Sequence, residues 1–160
     1  MRTTLNCFVA VLATMLLAAA PVHAKTLRWA SQGDFLSFDP YSQNESFNNT
    51  GNSYVYAALV QYDKNFKVVP QLALTWENAE PTRWRFHLRQ GVKFQEGEPF
   101  TAEDVVFSFK RRMSKNSKMR SYMTGNVESK IVDDYTVDVI TDGPAPVLLL
   151  QLTDVRIMSK

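Results

Sequence analysis

Hydrophobic and polar residues alternate in several stretches of the chain, a pattern typical of half-buried β-strands. The clearest alternation lies at residues 82–89, where Trp84, Phe86 and Leu88 fall on one face and His87 with the arginines on the other. We therefore expect one face of this strand to pack and the other to be hydrated. The pattern predicts strands in six segments: residues 26–30, 59–62, 72–78, 82–89, 126–132 and 135–141.

Turn residues join four of these strands into two predicted hairpins. Residues 79–81 end in a proline and separate the third strand from the fourth. Asp133 and Asp134 separate the last two strands. Turn-forming residues between two alternating segments are typical of antiparallel hairpins. The chain is therefore expected to contain an antiparallel, β-rich region.

Three helices are predicted between the strands. Thr101 followed three positions later by Asp104 resembles a capping box, and apolar residues then recur at helical spacing at Val105, Val106, Phe109 and Met113. A second helix is predicted from Phe47, with Ser46 as its N-cap and apolar positions 47, 54, 55, 58 and 59 on one face. Gly51 within it weighs against that helix. A short apolar helix is predicted after Pro146.

The first 24 residues are predicted to be a secretory signal peptide. Arg2 gives a weakly positive start, an apolar stretch of about 14 residues follows, and Pro21 ends it. The small residues before Lys25 predict cleavage after Ala24. The apolar stretch is shorter than the ~20 residues of a spanning helix. The only cysteine, Cys7, lies early in this segment, so we expect no lipidation, disulfide or thiol catalysis in the mature chain.

Charge is nearly balanced, with a formal net charge of +2 at pH 7. This balance excludes a general polyanion binder and argues against disorder. The basic run at residues 110–120 would suit nucleic acid or anionic lipid. We interpret it instead as a solvated helix end and loop, and expect no nucleic-acid partner.

Side chains for catalysis or metal binding are sparse in the mature sequence. His87 is its single histidine and stands on a polar strand face, and metal ligation would need further His or Cys residues nearby. Glu103 and Asp104 fit the first turn of a helix, where the dipole favours acids. We therefore expect no catalytic residue, metal site or cofactor. A secreted hydrolase, or a structural β-domain without a ligand, is the alternative outside the binding proteins.

Aromatic residues cluster around the loop predicted at residues 31–46. The cluster comprises Phe35, Phe38, Tyr41 and Phe47. Aromatic side chains around a polar loop are typical of ligand pockets. This cluster is the compositional indication of a binding surface.

Several motifs give the chain a resemblance to a known family. Residues 86–94 read FHLRQGVKF and residues 97–109 read GEPFTAEDVVFSF, and weaker matches occur at residues 36–40 and 69–73. These motifs resemble the family 5 extracellular solute-binding proteins, the peptide- and nickel-binding receptors of ABC importers. As strand, turn and helix-entry motifs they serve the scaffold and are not expected to contact ligand.

The resemblance implies an α/β fold (mixed α+β), namely a class II periplasmic-binding-protein-like clamp with an extra β-rich domain. Residues 25–46 would begin the first lobe and residues 47–160 would form most of the β-rich domain. Family members are much longer, and the apolar residues near Lys160 lack an obvious partner. We therefore expect the chain to be the N-terminal part of a longer protein, without the second lobe.

The resemblance also implies a function. The chain would belong to an exported, periplasmic and monomeric receptor that captures di- or oligopeptides non-covalently and delivers them to a membrane permease. The loop after Asp39 and Pro40 would approach the ligand, which nominates Gln43, Asn44, Glu45, Ser46 and Phe47 as binding residues. Glu45 would face a positive ligand group, and Asn44 and Ser46 would offer hydrogen bonds. A nickel or haem receptor of the same family is the alternative.

Overall fold

The structure is a computed structural model that describes Thr26, Ala30 and residues 33–160. The signal peptide predicted at residues 1–24 lies outside the described residues, as does most of the strand predicted at residues 26–30. Gly33–Lys160 form one compact unit. Within that unit no helix is both long enough and apolar enough to cross a membrane.

Helices and strands follow one another along the described residues in a mixed order. They are α1 (Ser46–Val55), β1 (Val60–Tyr62), β2 (Val68–Pro70), β3 (Ala73–Glu80), β4 (Arg83–Leu88), α2 (Ala102–Met113), β5 (Val127–Asp133), β6 (Thr136–Thr141) and α3 (Leu148–Leu152). A short 3-10 helix at Arg120–Tyr122 lies between α2 and β5. The helices predicted after Thr101 and after Pro146 are both present.

All strand pairs in the two sheets are antiparallel. β1 pairs with β2, and the main sheet has the order β3–β4–β6–β5. The two predicted hairpins, β3–β4 and β5–β6, are confirmed with shifted turns: β3 continues through Glu80, and β5 through Asp133. β2 was not predicted, because three residues ending in Pro70 show too short a pattern to be recognised as a strand.

The core lies between one face of the main sheet and α2, and the buried leucines of α3 belong to the same cluster. Phe86 on β4 and Val137 on β6 lie directly opposite each other in the register and are fully buried. From α2, Val105 and Phe109 join the same cluster. The packing face predicted for the fourth strand is therefore confirmed, with Leu88 buried and Trp84 half-buried against the core.

The opposite face of the main sheet is less hydrated than the alternation predicts. Asp138 on β6 is 5% exposed because two arginines of β4 cover it. Arg85 donates from Nε and Nη2 to the two carboxylate oxygens of Asp138, at 2.7 and 2.9 Å, and Arg83 lies 3.5 Å away. Those hydrogen bonds hold the pKa of Asp138 below its usual range. Only the C-terminal end of β4 has the hydrated face that was predicted, since His87 is exposed.

α1 differs from its prediction in which face it buries. Its buried residues are Asn48 and Asn52, whereas Tyr54 is 86% and Val55 53% exposed. The helix starts at Ser46 with Glu45 as the N-cap, and ends before positions 58 and 59, which enter the core instead. The predicted apolar stripe is therefore wrong, because the amide side chains bind the preceding loop and so bury the polar face.

The last described residues run along α2. The carboxylate of Asp104, which caps the helix by accepting the Thr101 backbone N–H at 2.8 Å, also accepts the backbone N–H of Lys160 at 3.1 Å. Ser108 Oγ accepts the backbone N–H of Met158 at 2.8 Å. These bonds fix the segment after α3 against α2 and bring residues 154–156 under the loop that precedes α1.

Candidate ligand-binding site

The loop before α1 is held in place by a buried amide. Asn48 Oδ1 accepts the backbone N–H groups of Leu36 and Ser37, at 2.9 and 3.2 Å. Its Nδ2 donates to the carbonyl oxygen of Ser37 at 2.9 Å. Tyr56 adds a hydrogen bond from its hydroxyl to the carbonyl oxygen of Phe38, at 2.8 Å. The loop therefore has a fixed position relative to α1.

Asp39 shapes the turn that leads to the predicted binding residues. Its Oδ1 accepts the backbone N–H of Tyr41 at 3.0 Å, and its carbonyl oxygen accepts the backbone N–H and hydroxyl of Ser42. The other carboxylate oxygen pairs with the Arg111 guanidinium. An aspartate that bonds its own backbone two residues on is typical of an Asx turn. Asp39 thus forms the turn before the predicted binding residues.

The five residues predicted to bind ligand lie together where this loop enters α1. Asn44, Glu45 and Ser46 are exposed, and Gln43 and Phe47 are half-buried. Hydrogen bonds connect them to the next turn of the helix. The backbone N–H of Asn49 donates to the carbonyl oxygen of Glu45 at 2.8 Å, and its side chain to Asn44 Oδ1 at 3.5 Å. Their contact with a ligand remains a prediction.

A groove of about 400 Å³ opens beside these residues. Asn49 lines it and so connects it to the predicted loop. Its other walls come from the 3-10 helix, α2, α3 and the residues just after α3: Arg112, Tyr122, Leu150, Gln151 and Asp154. None of these residues was predicted from the sequence, because they come from segments far apart along the chain. We call this space the Arg112 groove.

Arg112 corrects the interpretation of the basic run. Lys110 and Arg120 are exposed as expected for a solvated helix end, but Arg112 is only 1% exposed. The sequence contains a signal for this burial: Arg112 follows Val105 by seven positions and Phe109 by three, which places it on the buried face of α2. The length of the arginine side chain lets its charged end reach the groove.

Arg112 and Asp154 are the charged residues that line the groove, and a second arginine pairs with the same acid. Arg112 Nη1 donates to the carbonyl oxygen of Asp154 at 2.8 Å, and its Nη2 lies 3.6 Å from the Asp154 carboxylate. Arg156 lies 3.4 Å from the other carboxylate oxygen. These three side chains therefore carry a formal net charge of +1, which favours a negatively charged ligand group.

Tyr41 lies next to the guanidinium of Arg112. It is fully buried, and its hydroxyl donates to the carbonyl oxygen of Arg156 at 2.5 Å. The guanidinium of Arg112 lies 5.8 Å from the centroid of the Tyr41 ring, within range of a cation–π interaction. Burial raises the pKa of Tyr41 and the nearby Arg112 only partly offsets that effect, so the phenol stays neutral at physiological pH.

The predicted aromatic surface is only partly formed. The rings of Phe35 and Phe38 lie 4.6 Å apart, and Phe38 is 63% exposed. Tyr41 belongs to the core of the site rather than to a surface, so its assignment to an aromatic surface was wrong. The Phe35 ring rests on Gly51, where an added Cβ would lie 2.4 Å from a ring carbon. Gly51 is therefore explained by this close approach.

We expect the substitution Gly51→Ala to have opposite effects with and without the Phe35 ring. Alanine favours a helix over glycine by ~1 kcal/mol, but the new methyl group has to displace that ring. In the Phe35→Ala background, Gly51→Ala should raise the free energy of unfolding by about 1 kcal/mol. In the unmodified chain the gain should be cancelled or reversed. Urea denaturation of the four proteins measures this coupling; equal effects in both backgrounds would contradict the contact.

The described residues offer no obvious metal centre. Among residues 33–160 no group of three or more His, Cys, Asp or Glu side chains is arranged to hold an ion. His87 stands exposed on β4, away from the Arg112 groove. The residues that line the groove offer hydrogen bonds and charge pairing.

Comparison with known proteins relates this chain to a family of binding proteins. Residues 67–160 match the model of the middle region of the bacterial extracellular solute-binding proteins, family 5. The nickel-binding periplasmic protein of Escherichia coli K12 is 34% identical over 134 residues, which cover 83% of this chain and 24% of that protein. The dipeptide-binding protein of the same strain is 33% identical over 166 aligned residues, covering 89% of this chain and 31% of that protein.

Solved structures of such proteins have a similar fold. The binding protein MoaA of A. tumefaciens R10, in complex with mannopinic acid, has a TM-score of 0.70 at 30% identity over 79% of this chain and 28% of its own. OppA of Haemophilus influenzae, in complex with the peptide RPPGFSPFR, has a TM-score of 0.71 at 27% identity, over 77% of this chain and 28% of its own. The chain thus spans about a quarter to a third of the length of these relatives.

These matches confirm the family resemblance drawn from the motifs. They also confirm the predicted fold class, a mixed α+β fold related to the clamp-like periplasmic binding proteins. The matched region contains both hairpins, α2 and the charged residues of the groove. The chain belongs to the bacterial extracellular solute-binding proteins of family 5.

Proposed function

We propose that this chain is part of an exported receptor of an ABC importer that captures di- or oligopeptides and delivers them to a membrane permease. The observation that carries the proposal is the similarity to the E. coli dipeptide-binding protein over 89% of this chain. The receptor would act as a monomer in the periplasm, without nucleic acid, enzymatic activity or a cofactor. The predicted signal peptide supports export.

The geometry of the loop before α1 supports non-covalent capture. Asn44 and Glu45 are exposed on the loop before α1 and Ser46 at the start of the helix, and Asn48 fixes the beginning of that loop at residues 36 and 37. Polar groups on a preorganised backbone can hydrogen-bond an extended peptide at little entropic cost. Glu45 would pair with a free α-amino group, as expected from its charge. Gln43 and Phe47 would complete the contact surface at the entrance of α1.

Capture by closure needs a second surface opposite the first. The Arg112 groove and the loop before α1 form one such surface, and the opposing surface is proposed to come from a second lobe. In this proposal residues 25–46 begin the first lobe and residues 47–160 form most of an additional β-rich domain. Residues 25–160 alone are therefore expected to bind peptides too weakly to measure.

A thermal-shift screen tests the proposed function. The samples are the 160-residue chain and any longer product of the same open reading frame, each mixed with dipeptides, oligopeptides, a nickel–histidine complex, glutathione or haem. A receptor is stabilised by ~2.7 kcal/mol when its ligand is present at about 100 times the dissociation constant. We expect peptides alone to raise the melting temperature of the longer product. Hydrolysis of any peptide would instead indicate a secreted hydrolase.

The substitution Glu45→Gln tests the role of the loop in that screen. We expect it to weaken binding of peptides with a free amino terminus by about tenfold, and to leave binding of N-acetylated peptides unchanged. Glu128→Gln, which removes an exposed acid on β5, is the matched control. An equal loss for both peptide types would place Glu45 outside the amino-terminal contact.

A receptor for a nickel complex is the second candidate. It is favoured by the 34% identity to the nickel-binding periplasmic protein of E. coli. The same screen separates the two candidates: stabilisation by the nickel–histidine complex, without stabilisation by any peptide, would replace the peptide proposal. A haem receptor would be recognised in the same way, by stabilisation with haem alone.

A further inference from the structure

We propose that Arg112 binds a carboxylate group of the captured solute through the edge of its guanidinium formed by Nε and Nη2. The proposal rests on the solute-binding function proposed above and names the chemical class of the ligand at this groove. Four observations support it. The guanidinium edge of Arg112 has no hydrogen-bond partner in the described part of the chain, and the same edge of another arginine in this fold binds a carboxylate. An unpaired acceptor lies in the same groove, and the local charge is positive.

The first feature is the unused donor edge itself. Nε and Nη2 of Arg112 are both buried, and neither has a hydrogen-bond partner among the described residues. Only Nη1 is satisfied, by the carbonyl oxygen of Asp154. A buried donor that belongs to a charged group is costly to leave unpaired. Such an edge therefore calls for a partner that the described part of the chain does not supply.

The second feature is the way another arginine of this fold uses the same edge. Nε and Nη2 of Arg85 donate in parallel to the two oxygens of the Asp138 carboxylate, at 2.7 and 2.9 Å. This bidentate geometry matches a planar carboxylate, which accepts one bond on each oxygen. At Arg112 the corresponding pair of nitrogens has no hydrogen-bonded carboxylate among the described residues, since the Asp154 carboxylate lies 3.6 Å from Nη2. A carboxylate is consequently the ligand group that fits this edge.

The third feature is an unpaired acceptor in the same groove. Gln151 donates from Nε2 to Thr124 Oγ1 at 2.7 Å, but its Oε1 is buried without a hydrogen-bond partner among the described residues. A solute that carries a carboxylate beside an N–H or O–H donor would pair both groups at once. Peptides and hydroxylated or aminated carboxylic acids have this arrangement. The groove, at about 400 Å³, has room for such a group.

The fourth feature is the local charge. Asp154 is the acid nearest to Arg112, but its carboxylate lies 3.6 Å from Nη2, too far for a hydrogen bond, and Arg156 attracts it from the other side. Its side chain is 34% exposed, so it can turn toward solvent when a ligand carboxylate arrives. Arg112 and Arg156 are then matched by two carboxylates, and the local charges balance.

Side-chain NMR of the arginines tests the proposal on the 160-residue chain. Acetate is titrated against ¹⁵N-labelled protein, the Arg112 Nε–H signal is followed, and acetamide is the uncharged control. We expect a saturable shift of that signal with acetate, at roughly millimolar to tens of millimolar concentrations, and none with acetamide. Absence of a shift with acetate, or equal shifts with both compounds, would overturn the proposal.

Two substitutions sharpen the test. Arg112→Lys keeps the charge but removes the paired donors, so acetate binding should weaken by about tenfold. The backbone amide signal of Gln151 reports this binding. Arg120→Lys, on the exposed 3-10 helix, is the control and should leave acetate binding unchanged. Asp154→Asn removes the competing carboxylate and should strengthen acetate binding by about tenfold. If Arg112→Lys does not fold, Asp154→Asn still decides: unchanged or weaker binding would contradict the proposal.

The NMR titration and the thermal-shift screen can fail independently. A saturable Arg112 shift with acetate, in a protein that no peptide stabilises, supports the carboxylate site and rejects the peptide assignment. Peptide stabilisation that is equally strong for free acids and for C-terminal amides, together with a silent Arg112 signal, rejects the carboxylate site and supports the receptor.

Discussion

Replacement of Asn48 by Leu is expected to lower the free energy of unfolding by about 2–4 kcal/mol, since each buried polar group left unpaired costs roughly 1–3 kcal/mol. Leucine has a similar size but neither donates nor accepts. The backbone N–H groups of Leu36 and Ser37 and the carbonyl oxygen of Ser37 would lose their partner at once. Partial hydration of the released loop limits the cost to this range.

The loop before α1 should also lose its order in that variant. Hydrogen exchange at the backbone amides of Leu36 and Ser37 measures the local effect, and urea denaturation measures the global one. Asn49→Leu is the matched control, because the same chemical change on the same helix removes only one long side-chain hydrogen bond, at 3.5 Å. A loss of stability as large for Asn49→Leu as for Asn48→Leu would show that the amide anchor is not responsible.

Replacement of Asp138 by Asn is expected to lower the free energy of unfolding by about 2–3 kcal/mol at neutral pH, somewhat less than the 3–5 kcal/mol typical of breaking a fully buried ion pair. The acid is buried, but the side chains of Arg83 and Arg85 are 33% and 30% exposed. Water can therefore solvate the arginines in part once the carboxylate is gone. Glu128→Gln removes an exposed acid on the adjacent strand and should change stability by less than about 0.5 kcal/mol.

The effect of Asp138→Asn should depend on pH in one direction. Hydrogen bonds from Arg85 lower the pKa of the folded Asp138 below that of the unfolded chain, so its contribution is fully present above the unfolded pKa of about 3.9. It is lost as the pH falls through the lowered folded pKa. Urea denaturation between pH 7 and pH 2 should show the two proteins converging only below about pH 4. Convergence at higher pH would contradict this assignment.

Elements with a strong local pattern could be predicted from the sequence. The capped helix at Ala102–Met113 and both hairpins of the main sheet follow from alternation, turn residues and the Thr101–Asp104 spacing. In these segments the local preference and the tertiary environment agree. The family was recognisable for the same reason, since its motifs lie in these scaffold elements.

Elements whose environment is set by distant residues could not be predicted. α1 buries Asn48 because residues 36–37 of the preceding loop offer backbone groups to it; the loop was predicted, but nothing in the sequence indicates that it contacts Asn48. The spacing of Arg112 to Val105 and Phe109 reveals that it lies on the buried face of α2. The same spacing does not reveal its partners, which come from residues 154–156. The burial of Arg112 could therefore be predicted from the sequence, but the donors and acceptors that surround it in the groove could be identified only from the fold.

β4 has a consequence for the order of folding. One edge of β4 pairs with β3, which precedes it directly in the chain. Its other edge pairs with β6, which follows about 50 residues later because α2 and β5 lie between β4 and β6. Local hairpins close faster than such distant pairs, so early in folding β4 has an open edge that could join another chain. Its charged residues, Arg83 and Arg85 with Arg89 just beyond, repel a second copy of the same strand. The arginines that bind Asp138 in the native sheet thus also disfavour aggregation before β6 has paired with β4.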